Sequence, residues 1–201
     1  MRRAAPLLLL GLLAVAGLAG ATVGAVQAPN GTPVPEAVTN TLAASNFTED
    51  VLQQTSLGSQ TAHLVYEAPD RLSGYQESAG RRTYVVIIGT VEYVSETVPS
   101  NTPTSKLVFF KQQSAGAPAV DPAHNTLPIY KQATEKGRNG DVTTYRYDRN
   151  GQQATLDYTV AGAYVSVFDA TIVHSGHESI TITKVGSSPA VALPAGAAVR
   201  G

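Results

Sequence analysis

The strand predicted from Thr83 to Ile88 constrains the fold of this chain more than any other segment. Its last four residues are all Val or Ile, and a β-strand points successive side chains to opposite faces of its sheet. This strand is therefore apolar on both faces. Burying each such side chain is worth roughly 1.5 to 3 kcal/mol, so each face requires a helix, a second sheet or an apolar ligand against it.

Period-two alternation of apolar and polar residues extends this prediction along the chain. Further strands are predicted over residues 60–68, 72–77, 91–95, 107–110, 142–148, 154–160, 163–173 and 179–185. The segment Asn46–Thr55 fits a helix or a strand, and the strand is preferred. Short helices are predicted at Glu36–Ser45 and Leu127–Glu135. The fold class is therefore α+β, with one long, curved antiparallel sheet packed against one or two helices.

Residues 1–28 have the pattern of an export signal. Two arginines follow Met1, no charge occurs from Ala4 to Ala28, and Val26-Gln27-Ala28 supplies small residues for a signal peptidase. We expect cleavage near Ala28, an extracytoplasmic location, and one mature domain over residues 29–201. The alternative is an uncleaved membrane anchor, because about 20 apolar residues suffice to span a bilayer.

Composition excludes several classes of protein. The chain has no Cys, so neither a disulfide framework nor a thioether lipid anchor is available, and Ala21 stands after Leu18-Ala19-Gly20 where a bacterial lipobox has its Cys. The formal net charge is −1 with scattered cations, which gives no basic surface for nucleic acid. No nucleic-acid partner is expected.

The segment Tyr66-Glu67-Ala68-Pro69-Asp70-Arg71 resembles a motif of the lipoprotein-carrier (LolA-like) superfamily, in particular its mycobacterial LppX/LprG type. The resemblance continues through Val85–Gly89 into Glu92–Ser95, through Gly162–Val165, and to the closing segment Val185–Pro194. It covers nearly all of the mature chain. It implies a half-barrel whose apolar interior holds acyl chains, and a non-catalytic carrier or sensor in the bacterial cell envelope.

On this basis the expected partner is a lipid or acylated glycolipid, with an envelope membrane surface or acceptor protein as further partners, and no cofactor. The expected cavity draws on one face of the sheet, and parity assigns to that face Leu64, Tyr66, Val85, Ile87, Leu107, Phe109, Leu156, Tyr158, Phe168, Ile180 and Ile182. The loops 98–105 and 112–125 are expected to form a mobile rim over it, with the helix after Thr126 as a lid. The alternatives are a sensor or interaction domain without cargo, and a secreted hydrolase.

Catalytic and metal sites have little support in the sequence. The pair His174 and His177 lacks the third and fourth ligands of a zinc site, while His63 and His124 are isolated. No Gly-x-Ser-x-Gly turn occurs, so a hydrolase has no nucleophile elbow. No catalytic residue and no metal are predicted.

Two further features leave alternatives open. Asp70-Arg71 either binds a lipid headgroup or forms a turn between strands, and the turn is preferred. Tyr145, Tyr147 and Tyr158 either line a cavity mouth or form cross-strand pairs.

Overall fold

The computed structural model describes residues 33–128, 133–140, 142–149, 154–172 and 176–200. The predicted signal segment, the turn at Asn150-Gly151 and His174 lie outside these residues. None of the helices in the described part of the chain has the length and hydropathy needed to cross a membrane.

The described strands form one sheet, as the alternation predicts. Their bounds are β1 Asn46–Thr55, β2 Gly58–Glu67, β3 Arg71–Ser78, β4 Arg81–Ile88, β5 Val91–Ser95, β6 Val98–Pro99, β7 Val108–Gln113, β8 Thr134–Asn139, β9 Val142–Arg149, β10 Ala154–Ala161, β11 Tyr164–Ile172, β12 Gly176–Thr183 and β13 Ala198–Arg200. The order across the sheet is β13-β7-β5-β4-β3-β2-β1-β12-β11-β10-β9-β8, with β6 beside β4. Most neighbours are antiparallel and consecutive in sequence, so hairpins account for most of the fold.

Three described α-helices accompany the sheet: α1 Val34–Leu42, α2 Ala117–Val120 and α3 Pro122–Thr126. Pro33 is the N-cap of helix α1, and Pro35 lies in its first turn. At these positions the missing N–H of proline leaves no helical hydrogen bond unmade. Its buried residues Val34, Ala37, Val38 and Thr41 recur at helical spacing and face β10 and β11. The α+β sheet-and-helix fold, a curved half-barrel, is confirmed.

A close approach of β2 and β3 occurs at Gly74. This residue pairs with Leu64 on one side and with Val85 on the other. A Cβ at position 74 would overlap the carbonyl oxygen of His63, so only glycine fits at this position of β3.

Two predicted local structures are wrong. Residues 112–125 were expected to be loop, but they contain the end of β7 and the helices α2 and α3. The helix expected at Leu127–Glu135 is absent from its described residues, since Leu127 and Pro128 form a turn and Thr134 begins β8. Helix formation was missed because Pro118 and Pro122 suggest loop, whereas both stand in first helical turns.

The last described residues also belong to the sheet. Strand β13 pairs in parallel with β7, joining Ala198 to Val108 and Arg200 to Phe110. Among the described strands, the sheet is antiparallel apart from this short pair at its edge.

Candidate functional site: the inner face of the sheet

The two faces of the sheet carry two separate apolar clusters. We call the face under α1, α2 and α3 the inner face and the opposite one the outer face. Nine of the eleven residues assigned to a cavity lie on the inner face: Leu64, Tyr66, Val85, Ile87, Leu156, Tyr158, Phe168, Ile180 and Ile182. Val85 is partly buried, and the other eight are buried.

Leu107 and Phe109 do not share that face, and this part of the prediction is wrong. They pack with Val86 and Val191 in a second cluster, which we call the outer cluster. The register explains the error: β5 pairs Val94 with Phe110, so Phe110 continues the Val85 row and Phe109 points away. Alternation within one strand separates its side chains into two sets. The pairing with the neighbouring strand decides which set lies on the inner face.

The outer cluster is covered by the end of the chain. Val191 is 2% exposed, and Leu193 and Ala197 pack beside it. The Val191 amide donates to Glu67 Oε2 over 2.8 Å, and the Ala198 amide donates to the Leu107 carbonyl over 3.1 Å. The apolar side chains on the outer face of β4 are therefore covered by the protein itself.

On the inner face, the α2–α3 segment, residues 117–127, lies across the strands. Ala117, Ala123 and Leu127 are fully buried in the inner apolar cluster. Asp121 starts α3 as its N-cap, because its Oδ2 accepts from the His124 amide over 2.9 Å. The Tyr158 hydroxyl donates to the Leu127 carbonyl over 3.4 Å, which ties the far end of the segment to β10.

The segment meets β1 and β2 through an unusual set of polar groups. Glu49 is fully buried on the inner face, and its Oε2 accepts from the Ala123 amide over 3.2 Å. Asp121, the N-cap of the same helix, is fully buried as well. The His124 ring lies between these carboxyls and the aromatic rings, 4.5 Å from Tyr66 and 6.1 Å from Phe47, centroid to centroid.

Burial raises the pKa of Glu49 well above its usual value, and the negative charges of Asp121 and Glu178 raise it further. The hydrogen bond from the Ala123 amide acts in the opposite direction. Burial also raises the pKa of Tyr66, with smaller contributions from Asp121 and Asp70. Burial on the inner face thus favours the neutral forms of Glu49 and Tyr66.

Glu178 is a second buried acid on the inner face. It lies directly across from Gln53 on β1 and Ala170 on β11. Burial raises the pKa of this carboxyl, while His177 lowers it by a smaller amount. The inner face is therefore apolar apart from isolated buried polar side chains such as Glu49 and Glu178.

The tyrosines of β9 and β10 form cross-strand pairs on the inner face. Tyr145 faces Tyr158, and Tyr147 faces Leu156. Tyr145 and Tyr158 are buried and Tyr147 is partly buried in the same cluster. Burial raises the pKa of Tyr145, with a smaller contribution from Glu135.

Three described histidines form pairs with aspartates. His63 Nδ1 lies 2.6 Å from Asp50 Oδ1, and His177 Nε2 lies 3.5 Å from Asp169 Oδ1. The third pair is His124 with Asp121. Within the described ranges no group of three acidic, His or Cys side chains is arranged to hold a metal ion. His124 was expected to be isolated and is instead part of the inner network.

The Pro69-Asp70 turn joins β2 to β3, as preferred. The Gly89 amide donates to the Asp70 carbonyl over 3.0 Å, and Tyr66 Oη donates to the Pro69 carbonyl over 3.0 Å. Arg71 Nη1 lies 4.0 Å from Glu67 Oε1. The motif thus links neighbouring turns and strands through the backbone.

Sequence reasoning missed Glu49, Asp121 and His124 as a group. Two signals in the chain point to them. Glu49 has the same parity as Phe47 and Val51, which marks a buried acid if that face is inward. Asp121 followed by Pro122 is a helix-start pattern. No local pattern brings the two segments together, since 72 positions separate them.

Comparison with known proteins gives matches in structure alone. No known family model matches the chain, and no curated protein matches its sequence. The fold is similar to that of LprF from Mycobacterium bovis, with 11% identity over 81% of this chain and 94% of that chain and a TM-score of 0.48. It is also similar to the Mycobacterium tuberculosis lipoprotein LppX, with 12% identity over 79% and 96% of the two chains and a TM-score of 0.48.

Proposed function

We propose that this chain is an exported, non-catalytic carrier or binder of lipids or acylated molecules in the bacterial cell envelope. The cargo lies between the inner face and the α2–α3 segment. The observation that carries this proposal is the collection of nine predicted cavity residues on one face under a short helical cover. Residues 1–28 support export, with cleavage near Ala28.

The cover is suited to displacement. Its inward residues Ala117 and Ala123 are small, so each contributes little apolar area compared with a Leu or Phe. An acyl chain that replaced this segment would supply apolar contact to the inner cluster, which includes Tyr66, Ile87 and Phe168. Of the two loops expected to form a rim, residues 112–125 fit this role. Residues 98–105 do not, because Val98 packs on the outer cluster.

A protein-interaction role at a sheet edge has less support. The edge strand β8 is exposed throughout, but it carries Glu135, Lys136 and Arg138. Charges along an edge strand hinder the addition of another strand. A hydrolase role also has less support, because in the described part of the chain no serine hydroxyl bonds to His63, His124 or His177.

Native mass spectrometry of the mature protein purified from its own bacterium tests the proposal. We expect an added mass that organic extraction identifies as an acyl-containing lipid. A control variant, Leu57→Ala, alters a side chain that is 97% exposed and should carry the same cargo. Protein that is free of lipid from its native source, and that takes up none from mixed vesicles, would contradict the carrier function and favour the interaction domain.

A further inference from the structure

Two carboxyl groups that are buried against each other need a proton between them. Glu49 and Asp121 are both fully buried, and Glu49 accepts the amide of Ala123, two residues after Asp121. Glu49 Oε1 and Asp121 Oδ1 are buried with no hydrogen-bond partner among the described residues, and two ionised carboxylates offer each other no donor. A proton on one of the two groups supplies the missing donor.

The neighbours of Asp121 place the proton on Glu49. Asp121 Oδ2 accepts from the His124 amide over 2.9 Å and contacts His124 Nδ1 over 2.7 Å. With the proton of His124 on Nδ1, Asp121 Oδ2 is the acceptor in both contacts. Glu49 Oε2 accepts the Ala123 amide, so a proton on Glu49 belongs to Oε1, the oxygen that has no partner among the described residues.

We propose that this proton is a latch: protonated Glu49 fastens the α2–α3 segment to the inner face, and loss of the proton releases it. Deprotonation leaves two buried carboxylates at the first turn of one helix, and such a pair is strongly unfavourable. Both regain water when residues 117–127 lift away. The latch concerns the cover and not its cargo, so it stands or falls independently of lipid binding.

The groups around Glu49 favour its protonated form, and therefore the closed state at low pH. The charges that act on Glu49 are negative, from Asp121 on α3 and Glu178 on β12. From β1 and β2, Phe47 and Tyr66 contribute rings against His124.

The sign of the pH dependence follows from linkage. The pKa of Glu49 is raised in the closed state above its ordinary value of 4.5, so the closed state binds more protons than the open state. Closure is strongest below the ordinary value and is lost as the pH rises through the closed-state pKa. One proton gives a change of at most about tenfold in the closing equilibrium per pH unit.

Hydrogen exchange at the Ala123 and His124 amides measures the latch directly, because these amides donate to Glu49 and Asp121. Protection factors, corrected for the intrinsic rate, should fall between pH 5 and pH 8 in the wild-type protein. The amides of β10 and β11 should keep theirs. Protection at Ala123 that does not change with pH would overturn the proposal.

Glu49→Gln is the decisive variant. Its amide oxygen accepts from Ala123 and its amide nitrogen donates to Asp121, so it reproduces the protonated acid without a titration. We expect high protection at both pH values. Retention of the wild-type pH slope, or lower protection at pH 5, would refute the latch.

Two further variants separate the latch from other titrations. Glu178→Gln removes a buried acid that is distant from α3 in sequence, and the slope at Ala123 should persist. Asp121→Asn keeps a capping oxygen and removes the repulsion, so protection at pH 8 should exceed the wild-type value. If Asp121→Asn instead lowers protection at pH 8, the two carboxyls do not oppose each other and the proposal fails.

Discussion

Strand β4 has apolar side chains on both its inner and its outer face, and different parts of the chain cover the two faces. On the outer side, Val86 is covered by Val191, and the covering segment is held by backbone hydrogen bonds and by the strand β13. On the inner side, Ile87 belongs to a cluster closed by α1 and by the short α2–α3 segment. The outer cover is part of the sheet, whereas the α2–α3 segment depends on small apolar contacts and on a buried acid pair. Under the proposed function, the outer cluster stabilises the fold and the inner face binds the cargo.

The largest expected effect is on the inner face. Phe168 is fully buried and packs edge-on against Tyr158 with ring centroids 5.0 Å apart. Phe168→Ala should lower the free energy of unfolding by about 3 to 5 kcal/mol and weaken binding of a fluorescent acyl probe. Urea unfolding measures the first quantity, with Leu57→Ala as the neutral control. A loss below about 1 kcal/mol would show that the inner face is not the core.

A smaller effect is expected on the outer face. Leu107 is 1% exposed, so Leu107→Ala should cost about 2 to 3 kcal/mol, since partly buried neighbours can close some of the space. The folded fraction should bind the acyl probe as the wild-type protein does. Loss of probe binding in folded Leu107→Ala protein would remove the distinction between the two faces.

The pH dependence of stability sharpens the comparison further. Burial raises the pKa of Glu178, so its contribution favours folding at low pH and is lost as the pH rises through the folded-state pKa. Glu178→Gln should therefore unfold at a higher urea concentration than the wild type at pH 8, with a smaller difference at pH 4. Asp50→Asn, on the exposed side of β1, is the control. A wild-type advantage at pH 8 would mean that the ionised Glu178 carboxylate is stabilised there.

The smallest effect concerns an ion pair on the outer face. Arg146 Nε and Nη2 donate to the two oxygens of Asp157 over 2.7 and 2.6 Å. Both side chains are partly exposed, so a double-mutant cycle with Arg146→Met and Asp157→Asn should give a coupling energy of about 0.5 to 1 kcal/mol that decreases with added salt. A salt-independent coupling above about 2 kcal/mol would contradict this assignment to a solvated surface.

The strands could be predicted from the sequence because the alternation of apolar and polar residues is a local pattern. Each predicted strand from β1 to β5 is present, and the Asn46–Thr55 segment is a strand as preferred. Helices α2 and α3 were missed because each is no more than five residues long and begins with a proline-containing turn. Period and length therefore favour loop over helix there.

Which residues share a face was predicted in part, and the division has a physical reason. Side-chain parity placed nine residues on one face, because alternation is fixed within each strand. It failed at Leu107 and Phe109, where the register with β5 decides the face. The hydrogen bond between Glu49 and the Ala123 amide joins distant segments, and no local rule specifies such a pair.

Photo-cross-linking with a diazirine-bearing fatty acid tests the central claim most directly. The claim is that apolar cargo lies on the inner face under the α2–α3 segment. We predict cross-links in peptides that contain Tyr158, Phe168 and Ile180, and in peptides of residues 117–127, all reduced by unlabelled fatty acid. Cross-links confined to Phe109 and to the segment around Val191, or labelling that unlabelled fatty acid does not reduce, would contradict it.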